Sequence, residues 1–113
     1  MEPVEINAGA WYLRALRADD RVDDRPALAD LGVVDPAFVT DTAHGWAEET
    51  HLSWAVCEPT TGELVALIEA RPVDDTHADV TGTARTGHEV ALAASLPPVR
   101  RFVGGALGLT PLP

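Results

Sequence analysis

Lysine is absent from this 113-residue chain, and all eight of its basic residues are arginine. Schiff-base catalysis and the phosphate-binding P-loop both depend on an ammonium group, so neither is available. Cysteine occurs once, as Cys57, which excludes an intramolecular disulfide and a cysteine-rich zinc site. No run approaches the length of a membrane span, about eighteen apolar residues. The start, MEPVEINAGAW, also lacks the basic end and apolar stretch of a secretory signal. A reducing cytoplasm is the compartment these absences imply. Positive charge is scarce, with 8 basic against 18 acidic residues and a formal net charge of -10. Nucleic-acid binding needs clustered cations to displace counterions, so DNA and RNA are not expected as partners. Anionic membrane surfaces are disfavoured for the same reason, while a cationic ligand is drawn in by the long-range field. Aromatics are also few, and Trp11, Trp46 and Trp54 are each expected to be at least half buried.

What remains is 46% hydrophobic and 23% charged, the profile of one globular domain spanning residues 1–113. Trp11 to Leu16 reads as a first strand. Asp24 before Arg25-Pro26, with Gly32 behind, frames a short helix. Asp35-Pro36 starts a second helix that runs to about Glu49 and places Phe38, Val39, Ala43 and Trp46 on one stripe, with Gly45 as a weak point. LSWAVCE and ELVALIEARPV are strand-like runs joined by Pro59-Thr60-Thr61-Gly62, an antiparallel hairpin with Gly supplying a positive φ. After a polar turn at Asp74 to His77, Ala78 to Thr83 makes a shorter strand. A helix from His88 to Leu96 is ended or kinked by Pro97-Pro98. Val99 to Leu107 is a last apolar helical segment, and Thr110 to Pro113 is a tail. The order strand, two helices, three strands, helix implies an α+β domain with a mainly antiparallel sheet covered by helices.

This order, with SWAVCEPTTGELVALIEARPVDD from Ser53 to Asp75, resembles the GCN5-related N-acetyltransferase superfamily and its branch of ribosomal-protein alanine acetyltransferases. The likeness runs from Trp11 to Asp79. Leu13-Arg14-Ala15-Leu16-Arg17 is similar to the segment that closes that branch's first strand, and Trp54-Ala55-Val56 to the strand that turns through its Thr-Gly-Glu hairpin. Ala66 stands where the family usually has Gly. The resemblance implies acetyl transfer from acetyl-coenzyme A to an amine, with the fourth strand splayed to receive the pantetheine arm and no metal. A following loop of the form Arg/Gln-x-x-Gly-x-Gly/Ala would hold the pyrophosphate at a helix start, where free amides and the helix dipole form an anion site. Arg85-Thr86-Gly87-His88-Glu89-Val90-Ala91 is similar to that loop but one residue shorter. Arg85, Thr86, Gly87 and His88 are therefore the implied coenzyme-binding residues, with Glu89 bringing negative charge beside them. The chain stops at Pro113, before the family's fifth strand, next helix and last two strands. The expectation is a truncated or remodelled member, or a site completed by another chain or lost.

Asp79 lies where this branch often carries an acid near the acceptor amine, which makes it the candidate general base or amine-orienting group; an ordinary exposed strand carboxylate is the competing reading. Glu69 is the second candidate: alternation puts it on the face of Leu67, where a buried, functional Glu and a register break compete, and a surface residue at the edge of the core is the favoured reading. His44, Glu48 and His51 fall at helical spacings that could present a metal face, against which a solvated helix end is the better reading. Cys57 reads as buried rather than nucleophilic. The function read from these residues is acetyl-coenzyme-A-dependent N-acetylation of a cationic small-molecule or peptide amine. The alternative is a non-catalytic, homodimeric binding module, for which Pro97-Pro98, Glu89 and the missing strands argue. Self-association is expected either way: the uncovered strand near Ala78 to Thr83, together with Val99, Phe102, Val103, Leu107 and Leu109, which form an exposed patch unless they fold back over the sheet, would be buried in a homodimer.

Overall fold

The computed structural model describes all 113 residues. Its elements in chain order are β1 (Ile6–Ala8), β2 (Trp11–Arg14), α1 (Arg25–Asp30), α2 (Phe38–Glu48), β3 (Leu52–Cys57), β4 (Leu64–Pro72), β5 (His77–Ala84), α3 (Glu89–Ala106) and β6 (Thr110–Pro111). The six strands lie side by side in sequence order. Every pairing is antiparallel except the last, where β6 runs parallel to β5. The expected hairpin is present: Leu52 faces Ala70 and Trp54 faces Ile68, and Gly62 turns the chain at φ +71°.

Alternation along the strands sorts the core into two layers. Trp54, Val56, Ala66, Ile68 and Ala70 pack under α3, while Ala55, Cys57 and Leu67 pack under α1 and the start of α2. Trp46, Trp54 and Phe102 stack edge to face at 5.1 and 5.6 Å, tying α2 and α3 to the centre of the sheet. Each buried indole keeps a hydrogen-bond acceptor, Ser53 O for Trp46 and Val4 O for Trp54. Trp11 is more than half buried as well.

Beneath α1, Arg14 and Asp24 form a buried bidentate pair, with N–O distances of 2.8 and 2.9 Å and exposures of only 7% and 3%. Asp24 stands at the N-cap of α1 but makes no capping hydrogen bond with its side chain. Its carboxylate turns inward and accepts from the Arg14 guanidinium and the Arg17 amide, because a charge this deeply buried must be paired. The carboxylate raises the Arg14 guanidinium above its ordinary pKa.

Five expectations need correction. A strand absent from the reading, β1, folds onto β2 through Gly9 at φ +64°. Ala43 is exposed rather than on the apolar stripe of α2, whose buried residues are Thr42, Gly45 and Trp46. Pro97-Pro98 neither ends nor breaks α3, which runs unbroken for 18 residues. The two prolines leave the carbonyls of Ala93 and Ala94 without helical donors, but both residues are exposed, so water can satisfy them. Meanwhile Ala91, Ser95, Val99 and Val103, four residues apart, stay buried against the sheet. The tail is not free, since the Thr110 amide donates to Thr76 O at 2.7 Å and the Leu112 amide to Ala78 O at 2.8 Å. Finally, Val99 and Val103 are fully buried and Phe102, Leu107 and Leu109 pack against the core, so the apolar patch invoked for a dimer is folded inward.

Candidate active site

Strand register gathers several polar side chains on the face of the sheet that α1 and α2 only partly cover. Glu69 on β4 is directly opposite Ser53 on β3 and Thr81 on β5, and Arg71 is opposite Asp79. Glu69 and Asp79, the two candidate acids, therefore share one face as diagonal neighbours, roughly 7–8 Å apart by the geometry of such pairs. Their surroundings differ. Asp79 is exposed and forms no ion pair with Arg71, which turns to Glu69 instead. Glu69 is four-fifths buried, at 20% side-chain exposure, and takes His51 Nε2 at 2.9 Å and Arg71 at 3.2 Å. His51, followed by Arg71, holds the Glu69 carboxyl below its ordinary pKa despite the burial.

His51 is the residue the sequence reading placed elsewhere. It was grouped with His44 and Glu48 on one helix face, but α2 ends at Glu48 and Glu49 adopts a left-handed conformation at φ 58°. That turn carries His51 off the helix axis and over the sheet, where its ring meets Phe38 edge-on at 6.3 Å. The turn is possible because residue 45 is Gly: a Cβ there would lie 2.4 Å from His51 O. The available signal was His51 just before one strand run and Glu69 within the next, at positions that a hairpin centred on Pro59 to Gly62 brings together.

At the other margin of this face, β5 pairs with β6 only at His77 and Ala78. From Asp79 to Ala84 one edge of β5 has no strand partner, and it leads through Arg85 to His88 into the start of α3. A free edge of this kind offers unpaired amides and carbonyls to an extended ligand. The loop beyond is less open. Arg85 donates to the carboxylates of Glu63 and Asp30 and to Leu64 O, so its charge is matched twice within the chain. Glu63, the leading cause, raises the Arg85 guanidinium above its ordinary pKa. The Gly87 amide donates to Glu89 Oε1 at 3.3 Å. Asp30, Arg85, Thr86 and His88 line a shallow depression beside the loop.

Cys57 plays no part in this site. It is fully buried under α1, and burial raises its thiol to about 11. A thiol reagent at pH 8 should therefore leave the native protein unmodified and react with one equivalent once it is unfolded in urea; rapid labelling of the native state would show the packing here to be wrong.

No protein-family model matches the chain, and no curated protein matches its sequence. Solved structures do match its fold. The sheet order, the placement of three helices and the parting of β5 from β6 define a GCN5-related N-acetyltransferase-like α+β fold. A protein designated a ribosomal-protein-serine acetyltransferase, from Vibrio cholerae, superposes with a TM-score of 0.77 at 16% identity, over 96% of this chain and 72% of its own. An acetyltransferase from Agrobacterium tumefaciens does so at 0.63 and 18%, over 94% and 70%.

For coenzyme A, which the fold implies, the residues present fit one part better than the other. The unpaired edge of β5 suits an extended pantetheine arm, and the start of α3 retains backbone amides for an anion. The free cation that a pyrophosphate seat would use is missing, since Arg85 is engaged by Glu63 and Asp30.

Proposed function

We propose that this chain is an acetyl-coenzyme-A-dependent N-acetyltransferase that acts on the amine of a cationic small-molecule or peptide acceptor, related within its fold to the ribosomal-protein alanine acetyltransferases. The observation that carries the reading is the free edge of β5 from Asp79 to Ala84, lying beside the acidic face of Glu69 and Asp79. The coenzyme supplies the activated acetyl group. The backbone of Asp79 to Ala84, with Thr86, Gly87 and His88, would hold it, and Arg85 would act by fixing that loop to α1 and to the β3–β4 turn. Asp79, exposed and unpaired, is placed to attract and orient an ammonium group. The net charge of -10 draws a cationic acceptor toward that face. A cytoplasmic location belongs to this reading, and no helix is long and apolar enough to cross a membrane.

Calorimetric titration with acetyl-coenzyme A is the test. Weak but saturable heat is expected, because the anionic ligand meets no free cation. Glu89→Ala should tighten binding about two- to fivefold, the equivalent of ~0.3–1 kcal/mol at a helix start. Absence of heat and of a thermal shift at millimolar ligand, in both the wild type and Glu89→Ala, would remove the enzyme reading.

One specific observation favours a second reading, a non-catalytic binding module: the carboxylates of Asp30, Glu63 and Glu89 already occupy the guanidinium and amide that an incoming pyrophosphate would use. The same titration separates the two. A homodimer remains a proposal under either reading. With the apolar C-terminal segment folded inward, it rests on the edge of β5 that is open from Asp79 onward, and light scattering that returns a monomer mass would remove it.

A further inference from the structure

We propose that His51, held in place by Glu69, is the proton acceptor for the incoming amine. This rests on the acetyltransferase reading for its reaction, and on the geometry of the chain alone for its chemistry. The Nε2 of His51 lies 2.9 Å from Glu69 Oε1, and an ionised carboxylate can only accept, so Nε2 carries the ring proton. That fixes the tautomer and leaves a lone pair on Nδ1, which makes no hydrogen bond within the chain. Nδ1 is not among the side-chain atoms fully buried without a partner, which are Ser53 Oγ and Ser95 Oγ, and the His51 side chain is 16% exposed.

The surroundings suit the task. From β4 the ring faces Glu69, with Arg71 behind it, and Asp79 on β5 is the next charge along the same face. α2 turns the ring of Phe38 toward it, while Gly45 lies against the His51 backbone and Cβ; its charged residues Asp41, His44 and Glu48 make no hydrogen bond to the imidazole. The imidazole therefore has the Phe38 ring edge-on to it and, at Nε2, a carboxylate that it shares with Arg71. In the step assigned to it, an N–H bond of the acceptor ammonium breaks and its proton bonds to Nδ1. The electron pair stays on the amine nitrogen, and the positive charge passes to an imidazolium whose other nitrogen still donates to Glu69. Glu69 is a positioning residue in this scheme, and Asp79 attracts the ammonium.

The experiment is a long-range ¹⁵N–¹H spectrum of the full chain, which reads the protonation of each ring nitrogen, with a tri-arginine amide as the amine probe. An α-amino group suits the purpose because its ammonium form presents an N–H that the Nδ1 lone pair can accept. The free protein should show His51 protonated at Nε2 and bare at Nδ1. Adding the peptide should move the Nδ1 resonance toward its protonated position, and the N-acetylated peptide, which has the same side chains and no transferable proton, should not. Glu69→Gln should weaken the tautomer preference with the fold intact by circular dichroism. In the transfer assay, His51→Ala should lose about 10²–10⁴-fold in kcat/KM and regain part of it with added imidazole. A proton on Nδ1 in the free protein, or equal responses to the two peptides, would overturn the assignment. Full activity in His51→Ala would do so too. An Nδ1 response without any acetyl transfer would instead uphold the proton acceptor and remove the acetyltransferase reading.

Discussion

Asp24→Ala should lower the stability of this domain by about 3–5 kcal/mol, the cost of leaving a buried charge without its partner. Arg14 would lose its two contacts with the carboxylate, at 2.8 and 2.9 Å, and keep only the Ala15 and Gly62 carbonyls, while its side chain stays only 9% exposed. The Arg17 amide, 2.7 Å from the same carboxylate, would lose its acceptor too. Because Arg14 also reaches Gly62 O at 3.3 Å, the damage should spread from the start of α1 to the β3–β4 turn. Urea unfolding followed by tryptophan fluorescence measures the loss as a fall in midpoint at constant slope. The double variant Arg14→Leu, Asp24→Leu removes both charges and should recover most of the stability, since a buried pair replaced by apolar side chains is often neutral or better. A single-variant loss below about 1 kcal/mol would mean that solvent reaches the pair.

The sequence carries some of these features openly and hides others, for identifiable reasons. The β3–β4 hairpin is legible because its apolar runs are long and its turn ends in Gly62, and α2 is legible because the Asp35 side chain accepts from the Ala37 amide in the turn that leads into it, although the helix itself begins only at Phe38. β1 is three residues long and has no period to detect, and β6 is two residues, one of them proline. α3 was misjudged because proline acts locally on two carbonyls, whereas the helix is fixed by burial of Ala91, Ser95, Val99 and Val103 along its whole length. That Glu69 and Asp79 share one face was not legible, because they sit on different strands and only the β4–β5 register makes them diagonal neighbours. The His51–Glu69 pair was not legible either, because its members are 18 positions apart and meet only when the hairpin register and the left-handed turn at Glu49 are both in place.

That turn makes Gly45 the point where fold and candidate site are joined. Gly45→Ala would ordinarily help, since alanine is favoured over glycine inside a helix by about 0.8–1.0 kcal/mol. Here the sign should reverse. The new Cβ would lie 2.4 Å from His51 O and 2.8 Å from His51 Cβ, and the first of these is backbone, which cannot swing aside as a side chain would. The Gly45 carbonyl also receives the Thr50 amide at 3.0 Å and the His51 amide at 3.4 Å, so relief of the clash pulls on the hydrogen bonds that close the turn. A net destabilisation of about 1–3 kcal/mol is expected from overpacking of this kind. Any displacement of the chain at His51 acts directly on its 2.9 Å contact with Glu69, so the Nε2-protonated signature should weaken together with stability. Gly105→Ala is the matched control: it is also inside a helix, a Cβ there meets nothing within 4 Å, and it should stabilise by the ordinary helical increment. Should Gly45→Ala prove as stable as Gly105→Ala and keep the His51 signature, close approach at this turn would not be what positions the imidazole.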